Sequence, residues 1–117
     1  MKKLLIIEND IDTLDIVTFI SEDIDFEVIK SRKKVHIQQI VDLKPDIIII
    51  DYLLDEGFGD ELCLEIKLNE LIKHIPVVLY SASKELKTIA EKCLATAFLQ
   101  KPFDLVDLEN ILKKFSL

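Results

Sequence analysis

Residues 45–51 of this 117-residue chain read Pro-Asp-Ile-Ile-Ile-Ile-Asp. The four isoleucines Ile47–Ile50 predict a short strand that is buried on both faces, because such apolar runs are typical of parallel sheets. Asp51 follows the run directly. Burying a carboxylate beside such a strand is costly, so we expect the strand to end there and the side chain to reach solvent, a partner or a metal.

Three further apolar runs end in polar residues in the same way. The chain reads Leu4–Ile7 before Glu8-Asn9-Asp10, Val77–Tyr80 before Ser81, and Ala97–Leu99 before Gln100-Lys101-Pro102. In an open parallel sheet, ligands bind beyond the carboxyl ends of the strands. Acids, a hydroxyl and an amine at the same end of several strands therefore predict one shared site.

Stretches with helical periodicity separate these strands. Phe26–Ile29 reads as a further strand, and its polar residues favour an edge position. The predicted helices run from about Ile11 to Glu22, from Val35 to Leu43, from Asp60 to about Lys67, along the apolar positions Leu86, Ile89, Ala90, Cys93 and Leu94, and from about Leu105 to Phe115. Five strands alternating with five helices predict an α/β fold with one doubly wound, parallel sheet.

The length and charge of the chain limit its class. A chain of this length suits one domain, residues 1–117, with a single core. Its 15 basic and 22 acidic residues give a net charge of −7, which argues against nucleic-acid binding because the basic field that neutralises phosphates is missing. No apolar run is long enough for a membrane span or a signal peptide. We therefore expect a cytoplasmic protein without membrane insertion.

The two cysteines, Cys63 and Cys93, have no Cys-x-x-Cys spacing and no nearby histidine. We interpret them as buried thiols on helix faces in a reducing compartment. A disulfide or a metal site is the alternative. The two histidines, His36 and His74, are expected to be surface residues without a role in the predicted site.

Four segments, taken together, resemble the receiver domain of two-component response regulators. They are Ile7-Glu8-Asn9-Asp10, the stretch Pro45–Asp51, His74-Ile75-Pro76-Val77-Val78 leading to Ser81-Ala82, and Lys101-Pro102-Phe103. Each segment alone is common, but their order and spacing across the whole chain are specific. The resemblance implies a flavodoxin-like (βα)5 fold with strand order 2-1-3-4-5. It also implies a stand-alone, CheY-like signalling domain that is no enzyme beyond its own phosphorylation and dephosphorylation.

The same resemblance implies a phosphoryl-transfer site. Asp51 would accept a phosphoryl group from a histidine kinase or phosphotransfer protein, as carboxylates do in other aspartyl phosphates. Glu8, Asn9, Asp51 and the backbone carbonyl of Leu53 would hold Mg²⁺, which prefers a few oxygen ligands besides water and phosphate. Lys101 would pair with the phosphoryl oxygens as a point charge.

The switch is implied in the same way. The hydroxyl of Ser81 would move toward the phosphoryl group and Phe98 would turn inward, changing the affinity of the face formed by the fourth helix, fifth strand and fifth helix for a downstream protein. Leu53 and Ser83 match the two positions that tune dephosphorylation. Because the apolar Leu53 cannot position water, we predict a long-lived phosphorylated state. A homodimer through the last strand and helix is left open.

The chain departs from the family at two points. Asn9 stands where a second acid usually touches the metal, so we expect weaker Mg²⁺ binding. Asp55 replaces the usual proline of the following loop, which continues Gly57-Phe58-Gly59. We hypothesise that Asp55 and its neighbour Glu56 restore the negative charge that Asn9 lacks.

Simpler interpretations of the same residues remain. Taken alone, Asp51 or Ser81 reads as a cap, Lys101 as a solvated loop residue, and Phe98 as part of the core. At the level of function, the alternative is a non-phosphorylated pseudo-receiver that acts as a protein interaction module. A flavodoxin-like cofactor domain is disfavoured, because the acids Glu8 and Asp10 would repel a phosphate.

Overall fold

Residues 1–115 are described by the computed structural model. Its central sheet has five parallel strands, β1 (Lys2–Ile7), β2 (Phe26–Ser31), β3 (Ile47–Asp51), β4 (Val77–Ser81) and β5 (Ala97–Gln100), in the order β2-β1-β3-β4-β5. The helices between and after them are α1 (Ile11–Asp23), α2 (Ile37–Leu43), α3 (Gly59–Leu68), α4 (Leu86–Lys92) and α5 (Leu105–Lys114). The predicted doubly wound fold and its strand order 2-1-3-4-5 are confirmed. The predicted domain, residues 1–117, includes Ser116 and Leu117, which lie outside the described residues.

The isoleucine run explains how the sheet joins two helical layers. All four residues of Ile47–Ile50 are fully buried. Because successive side chains of a strand point to opposite faces, Ile47 and Ile49 pack on the side of α1 and α5, whereas Ile48 and Ile50 pack on the side of α2, α3 and α4. The strand therefore lies at the centre of a three-layer core, and only its carboxyl end is available to a site.

The ends of two helices differ from the sequence prediction. The second helix begins at Ile37 and not at Val35, because the side-chain oxygen of Gln39 accepts from the backbone N–H of His36 and makes His36 the N-cap. The fourth helix ends at Lys92, so the predicted extension to Leu94 is wrong. The backbone N–H of Ala95 bonds to the carbonyl of Ala90 at 2.9 Å and closes the helix.

A short hairpin follows β3 where the sequence predicted an open loop. Leu53–Leu54 pairs antiparallel with Gly57–Phe58. Gly57 supplies the turn with a φ of 128°, which favours glycine. The hairpin brings Gly59, the first residue of α3, against the backbone of Asp51, where a Cβ atom would overlap the Asp51 carbonyl.

The two cysteines are free thiols and are buried, as predicted. The fold brings them together from α3 and from the residue after α4. The thiol of Cys63 donates to the backbone carbonyl of Cys93 at an Sγ to O distance of 3.5 Å. Cys93 is the C-cap of α4. The sequence prediction that Cys93 lies on a helix face is therefore wrong.

No helix within residues 1–115 has the length and apolar character needed to cross a membrane.

Candidate functional site

The carboxyl ends of four strands meet at one edge of the sheet. In the register of the sheet, Ile7 pairs with Ile50, Asp51 with Tyr80, and Ser81 with Gln100. The residues at and just after these ends are therefore neighbours in space. Polar groups that are widely separated in the sequence thus converge at this edge.

Three charged side chains form the centre of this edge. The ammonium Nζ of Lys101 lies 2.9 Å from Oε1 of Glu8 and 3.4 Å from Oδ2 of Asp51. Glu8 is 0% and Asp51 5% exposed. We call Glu8, Asp51 and Lys101 the acid–lysine cluster. Two buried carboxylates share one cation there, so the cluster has an excess of negative charge that favours a further cation.

The shortage of cations changes the protonation of the two acids. Burial, followed by the hydrogen bond and charge of Glu8, raises the pKa of Asp51 from 3.8 to about 7. Burial alone would raise the pKa of Glu8 as well, but hydrogen bonds from Asp51, Lys101 and Tyr80 outweigh it and lower the pKa. The pair therefore keeps one proton, held on Asp51, toward neutral pH when no metal is bound.

Tyr80 is a member of the site that the sequence did not reveal. Its hydroxyl donates to Oε1 of Glu8 at 2.7 Å. The ammonium of Lys101 lies 4.3 Å from the centroid of the Tyr80 ring, within the range of a cation–π interaction. The sequence shows Tyr80 only as the last residue of an apolar run, and its hydroxyl was the one available sign that it needs a polar partner.

The loop after β1 is held by two side chains from other loops. Nδ2 of Asn9 donates to Oδ1 of Asp55 at 2.9 Å. The guanidinium of Arg32 donates to the backbone carbonyl of Asn9 at 3.1 Å. Asp10 N-caps α1 by accepting from Thr13, whose hydroxyl and backbone N–H lower the pKa of this aspartate. Arg32 had no role in the sequence prediction, and the hypothesis that Asp55 restores charge stays a prediction.

Ser81 is buried at the end of β4, where its hydroxyl accepts from the backbone N–H of Ser83 at 3.1 Å. The hydroxyl of Ser83 accepts in turn from the N–H of Glu85 at 3.2 Å. The side chain of Gln100 spans this loop and donates to the carbonyls of Ser81 and Ser83 at 3.3 and 3.0 Å. Ser81 is thus engaged in a turn that precedes α4 and does not cap the helix itself.

Two further predicted residues lie at different distances from the acid–lysine cluster. The backbone N–H of Leu53 donates to Oδ1 of Asp51 at 3.1 Å, while the Leu53 side chain is 52% exposed. Phe98 lies on β5, paired with Leu79, and is 40% exposed. The predicted switch aromatic is therefore in an outward position and outside the cluster.

The donor atoms at this edge suit a hard divalent cation. No group of three or more His, Cys, Asp or Glu side chains within residues 1–115 is arranged as a complete metal site. The sequence predicts four ligands for such a cation, namely the carboxylates of Glu8 and Asp51, the amide of Asn9 and the backbone carbonyl of Leu53. Mg²⁺ keeps several waters and needs few protein oxygens. An incomplete, oxygen-only set with excess negative charge therefore fits Mg²⁺.

The family model described as the response regulator receiver domain matches residues 4–113. The chain therefore belongs to the receiver domain family of two-component response regulators. This family consists of signalling domains and not of metabolic enzymes.

Two plant proteins illustrate the sequence likeness. The two-component response regulator ARR17 of Arabidopsis thaliana is 38% identical over 72 residues, which cover 59% of this chain and 46% of ARR17. The response regulator-like protein PRR73 of Oryza sativa is 29% identical over 115 residues, 93% of this chain and 15% of PRR73. The chain thus spans less than half the length of these relatives.

Two solved structures show the same fold. The chemotaxis response regulator CheY4 of Vibrio cholerae has a TM-score of 0.88 at 22% identity, with 98% of each chain covered. The receiver domain of the sensor histidine kinase PA1611 of Pseudomonas aeruginosa has a TM-score of 0.79 at 21% identity, covering 97% of this chain and 96% of that one. A magnesium ion is coordinated in the active site cleft of the PA1611 domain.

Proposed function

We propose that this domain receives a phosphoryl group on Asp51, with Mg²⁺ as cofactor, and switches its affinity for a downstream protein. The observation that carries the proposal is the acid–lysine cluster itself. A carboxylate that is to act as a nucleophile toward a phosphoryl group needs cations that offset the charge of both. Lys101 already contacts Asp51 and Glu8, and the excess acid leaves a position for a divalent cation.

Each side chain of the site has its own part in the phosphoryl transfer. Oδ1 of Asp51 accepts from the N–H of Leu53, so the attacking atom is Oδ2, which faces Lys101. The P–N bond of a phosphohistidine donor breaks as the P–O bond to Asp51 forms, and the imidazole leaves with a proton from solvent. Glu8, Asn9, Asp51 and the Leu53 carbonyl would hold Mg²⁺, which would neutralise phosphoryl charge when bound. Lys101 turns from Glu8 toward the phosphoryl oxygens.

The change in partner affinity follows from the charge of the phosphoryl group on Asp51. The hydroxyl of Ser81, which accepts from the N–H of Ser83, moves to donate to a phosphoryl oxygen, and the movement draws the loop before α4 toward the site. Phe98 then turns from its exposed position into the space behind the loop, where burial of its ring favours the new state. The face formed by α4, β5 and α5 changes shape, which changes the affinity for the downstream partner.

The partners are proposed on the same basis. A histidine kinase or a phosphotransfer protein supplies the phosphoryl group, and a protein reads the α4–β5–α5 face. A homodimer through β5 and α5 stays open.

The test is phosphorylation by a small acyl phosphate with Mg²⁺, followed on a phosphate-affinity gel. The wild type should shift, whereas Asp51→Asn should not. Asp46→Asn is the matched control, because Asp46 precedes the same strand at its opposite end, where its carboxylate accepts from the backbone N–H of Lys3. A shift that persists in Asp51→Asn would show that another residue accepts the phosphoryl group.

One observation favours the pseudo-receiver as a second candidate. Nδ2 of Asn9 is engaged with Asp55, and the amide contributes no charge to the metal ligands. If this loss abolishes Mg²⁺ binding, the domain works as an unphosphorylated interaction module. The absence of any gel shift at every Mg²⁺ concentration, with a folded protein, would support this candidate.

A further inference from the structure

Tyr80 is a buried tyrosine directly beside the proposed phosphoryl acceptor. It pairs with Asp51 in the sheet and is 0% exposed. The neighbouring residues of β4, Val77–Leu79, are aliphatic and fully buried, and they pack the core without a hydroxyl. A phenol in this position must find a polar partner, since an unpaired buried hydroxyl destabilises the fold. Its partner is Glu8.

The hydroxyl of Tyr80 shares one carboxylate oxygen with Lys101. Oε1 of Glu8 accepts from Tyr80 at 2.7 Å and from Lys101 at 2.9 Å, while Oε2 accepts from the N–H of Asp10 at 3.2 Å. Tyr80 also contacts Lys101 through its ring. The side chain thus touches both the acid that would bind the metal and the lysine that would bind the phosphoryl group.

We propose that Tyr80 is a positioning residue of the phosphorylation site, which holds Glu8 in place when Lys101 leaves it for the phosphoryl group. The inference rests on the proposed function. In that step Glu8 loses the Lys101 ammonium, and a buried carboxylate that loses a cation without another partner is destabilised. The hydroxyl of Tyr80 comes from the interior of the sheet and stays in place. The ring offers Lys101 a favourable surface along its path.

The role of Tyr80 matters more in this chain because of Asn9. With an amide at position 9, Glu8 and Asp51 supply the only carboxylates among the four proposed ligands. The orientation of Glu8 then has a large effect on Mg²⁺ affinity, as partners of metal ligands generally do. The simpler interpretation is that Tyr80 only fills the core.

The variant Tyr80→Phe separates the two interpretations, because it keeps the ring and removes the hydroxyl. Mg²⁺ alone is titrated into ¹⁵N-labelled protein and followed by the amide chemical shifts of the site. We expect the dissociation constant for Mg²⁺ to rise about tenfold in Tyr80→Phe, with an amide spectrum that is otherwise native. Tyr52→Phe is the control, because the Tyr52 ring stacks on Phe58 at 5.0 Å and has no contact with Glu8 among the described side chains.

The readouts distinguish the possible failures. If the dissociation constant of Tyr80→Phe for Mg²⁺ were within twofold of the wild-type value, or lower, the positioning role would be overturned and the proposed function would stay intact. A wild type that binds Mg²⁺ but is not phosphorylated would overturn the proposed function and leave the role of Tyr80 in metal binding to be decided by the titration. If Tyr80→Phe were too unstable to titrate, Tyr80→Met, which also removes the hydroxyl and keeps an apolar side chain, would be titrated in its place. An Mg²⁺ dissociation constant of Tyr80→Met within twofold of the wild type would overturn the inference.

Discussion

The amide nitrogen of Asn9 donates a hydrogen bond of 2.9 Å to the carboxylate of Asp55. The residue that lacks the usual charge at the proposed metal site is therefore in direct contact with a charge that the usual proline would not provide. Asp55 is solvent-exposed, so it can turn toward a cation without breaking the core. The contact links the loop after β1 to the hairpin after β3, the two segments from which the proposed metal ligands come.

An exchange of charge between these two positions tests the hypothesis of charge restoration. We expect Asn9→Asp to tighten Mg²⁺ binding and Asp55→Asn to weaken it, each by about threefold to tenfold, because one charge near a surface site contributes about 1 kcal/mol. The double variant Asn9→Asp/Asp55→Asn should return close to the wild type. Amide shifts during an Mg²⁺ titration measure the affinity. Glu56→Gln tests the other residue of the hypothesis, and equal weakening of Mg²⁺ binding by Glu56→Gln and Asp55→Asn would show that the contact between Asp55 and Asn9 adds nothing specific.

The raised pKa of Asp51 predicts a pH dependence of stability in metal-free protein. The folded pKa is about 7 and the reference value is 3.8, so the folded state binds the proton more tightly. The stabilisation from this proton is complete below pH 4 and is lost as the pH rises through about 7. Asp51→Asn removes the dependence and should be more stable than the wild type at pH 8 by about 1–3 kcal/mol, with a smaller difference at pH 5.

Urea unfolding in the presence of a chelator measures this difference. Asp46→Asn keeps Asp51 and should therefore follow the same pH dependence as the wild type, since Asp46 is exposed at the opposite end of the strand. Parallel stability curves for the wild type and Asp51→Asn between pH 5 and pH 8 would contradict the prediction.

The position of Asp51 depends on the absence of a side chain at Gly59. A Cβ atom at this position would overlap the carbonyl of Asp51 and the side chain of Ile50. We expect Gly59→Ala to lower the free energy of unfolding by about 1–3 kcal/mol and to slow phosphorylation by displacing Asp51. Gly57→Ala provides the comparison, because Gly57 has an unusual φ but open space around it. Gly57→Ala should destabilise the protein without affecting phosphorylation. Equal phosphorylation rates in Gly59→Ala and Gly57→Ala would argue against a displacement of Asp51.

The exposed side chain of Leu53 predicts a slow loss of the phosphoryl group. It presents no polar atom to orient an attacking water, so the phosphorylated state should last for minutes or longer. Leu53→Asn should shorten this lifetime at least about threefold by orienting that water. The decay is followed on phosphate-affinity gels after removal of the phosphodonor. Leu68→Asn, at an exposed leucine of α3, should have no effect, and a wild-type lifetime of seconds would refute the prediction.

The sequence predicted the fold well because its patterns are local. The run Ile47–Ile50 has no polar residue within it, which is compatible with a central parallel strand and with little else. The acids, the hydroxyl and the lysine follow their strands directly, so the alternation of strands and helices was sufficient to bring Glu8, Asp51 and Lys101 to one edge.

The remaining features depend on contacts that are distant in the sequence. The partner of the Tyr80 hydroxyl lies on another strand, and a tyrosine in an apolar run looks like a core residue. The end of α4 is set by the hydrogen bond from Ala95 to Ala90, while the apolar pattern alone continues to Leu94. The hairpin after β3 has strands of only two residues, which is too short for periodicity to indicate.

The contact between Cys63 and Cys93 makes the opening of the region between α3 and α4 measurable by thiol labelling. Both thiols are enclosed where α3 meets the end of α4, so a thiol reagent reaches them only when this region opens. The rate of labelling therefore measures how often α4 separates from its neighbour, without any introduced probe. If phosphorylation of Asp51 rearranges the loop before α4, the labelling rate should change with it. The cysteine at the end of α4 would then reveal the movement of this helix.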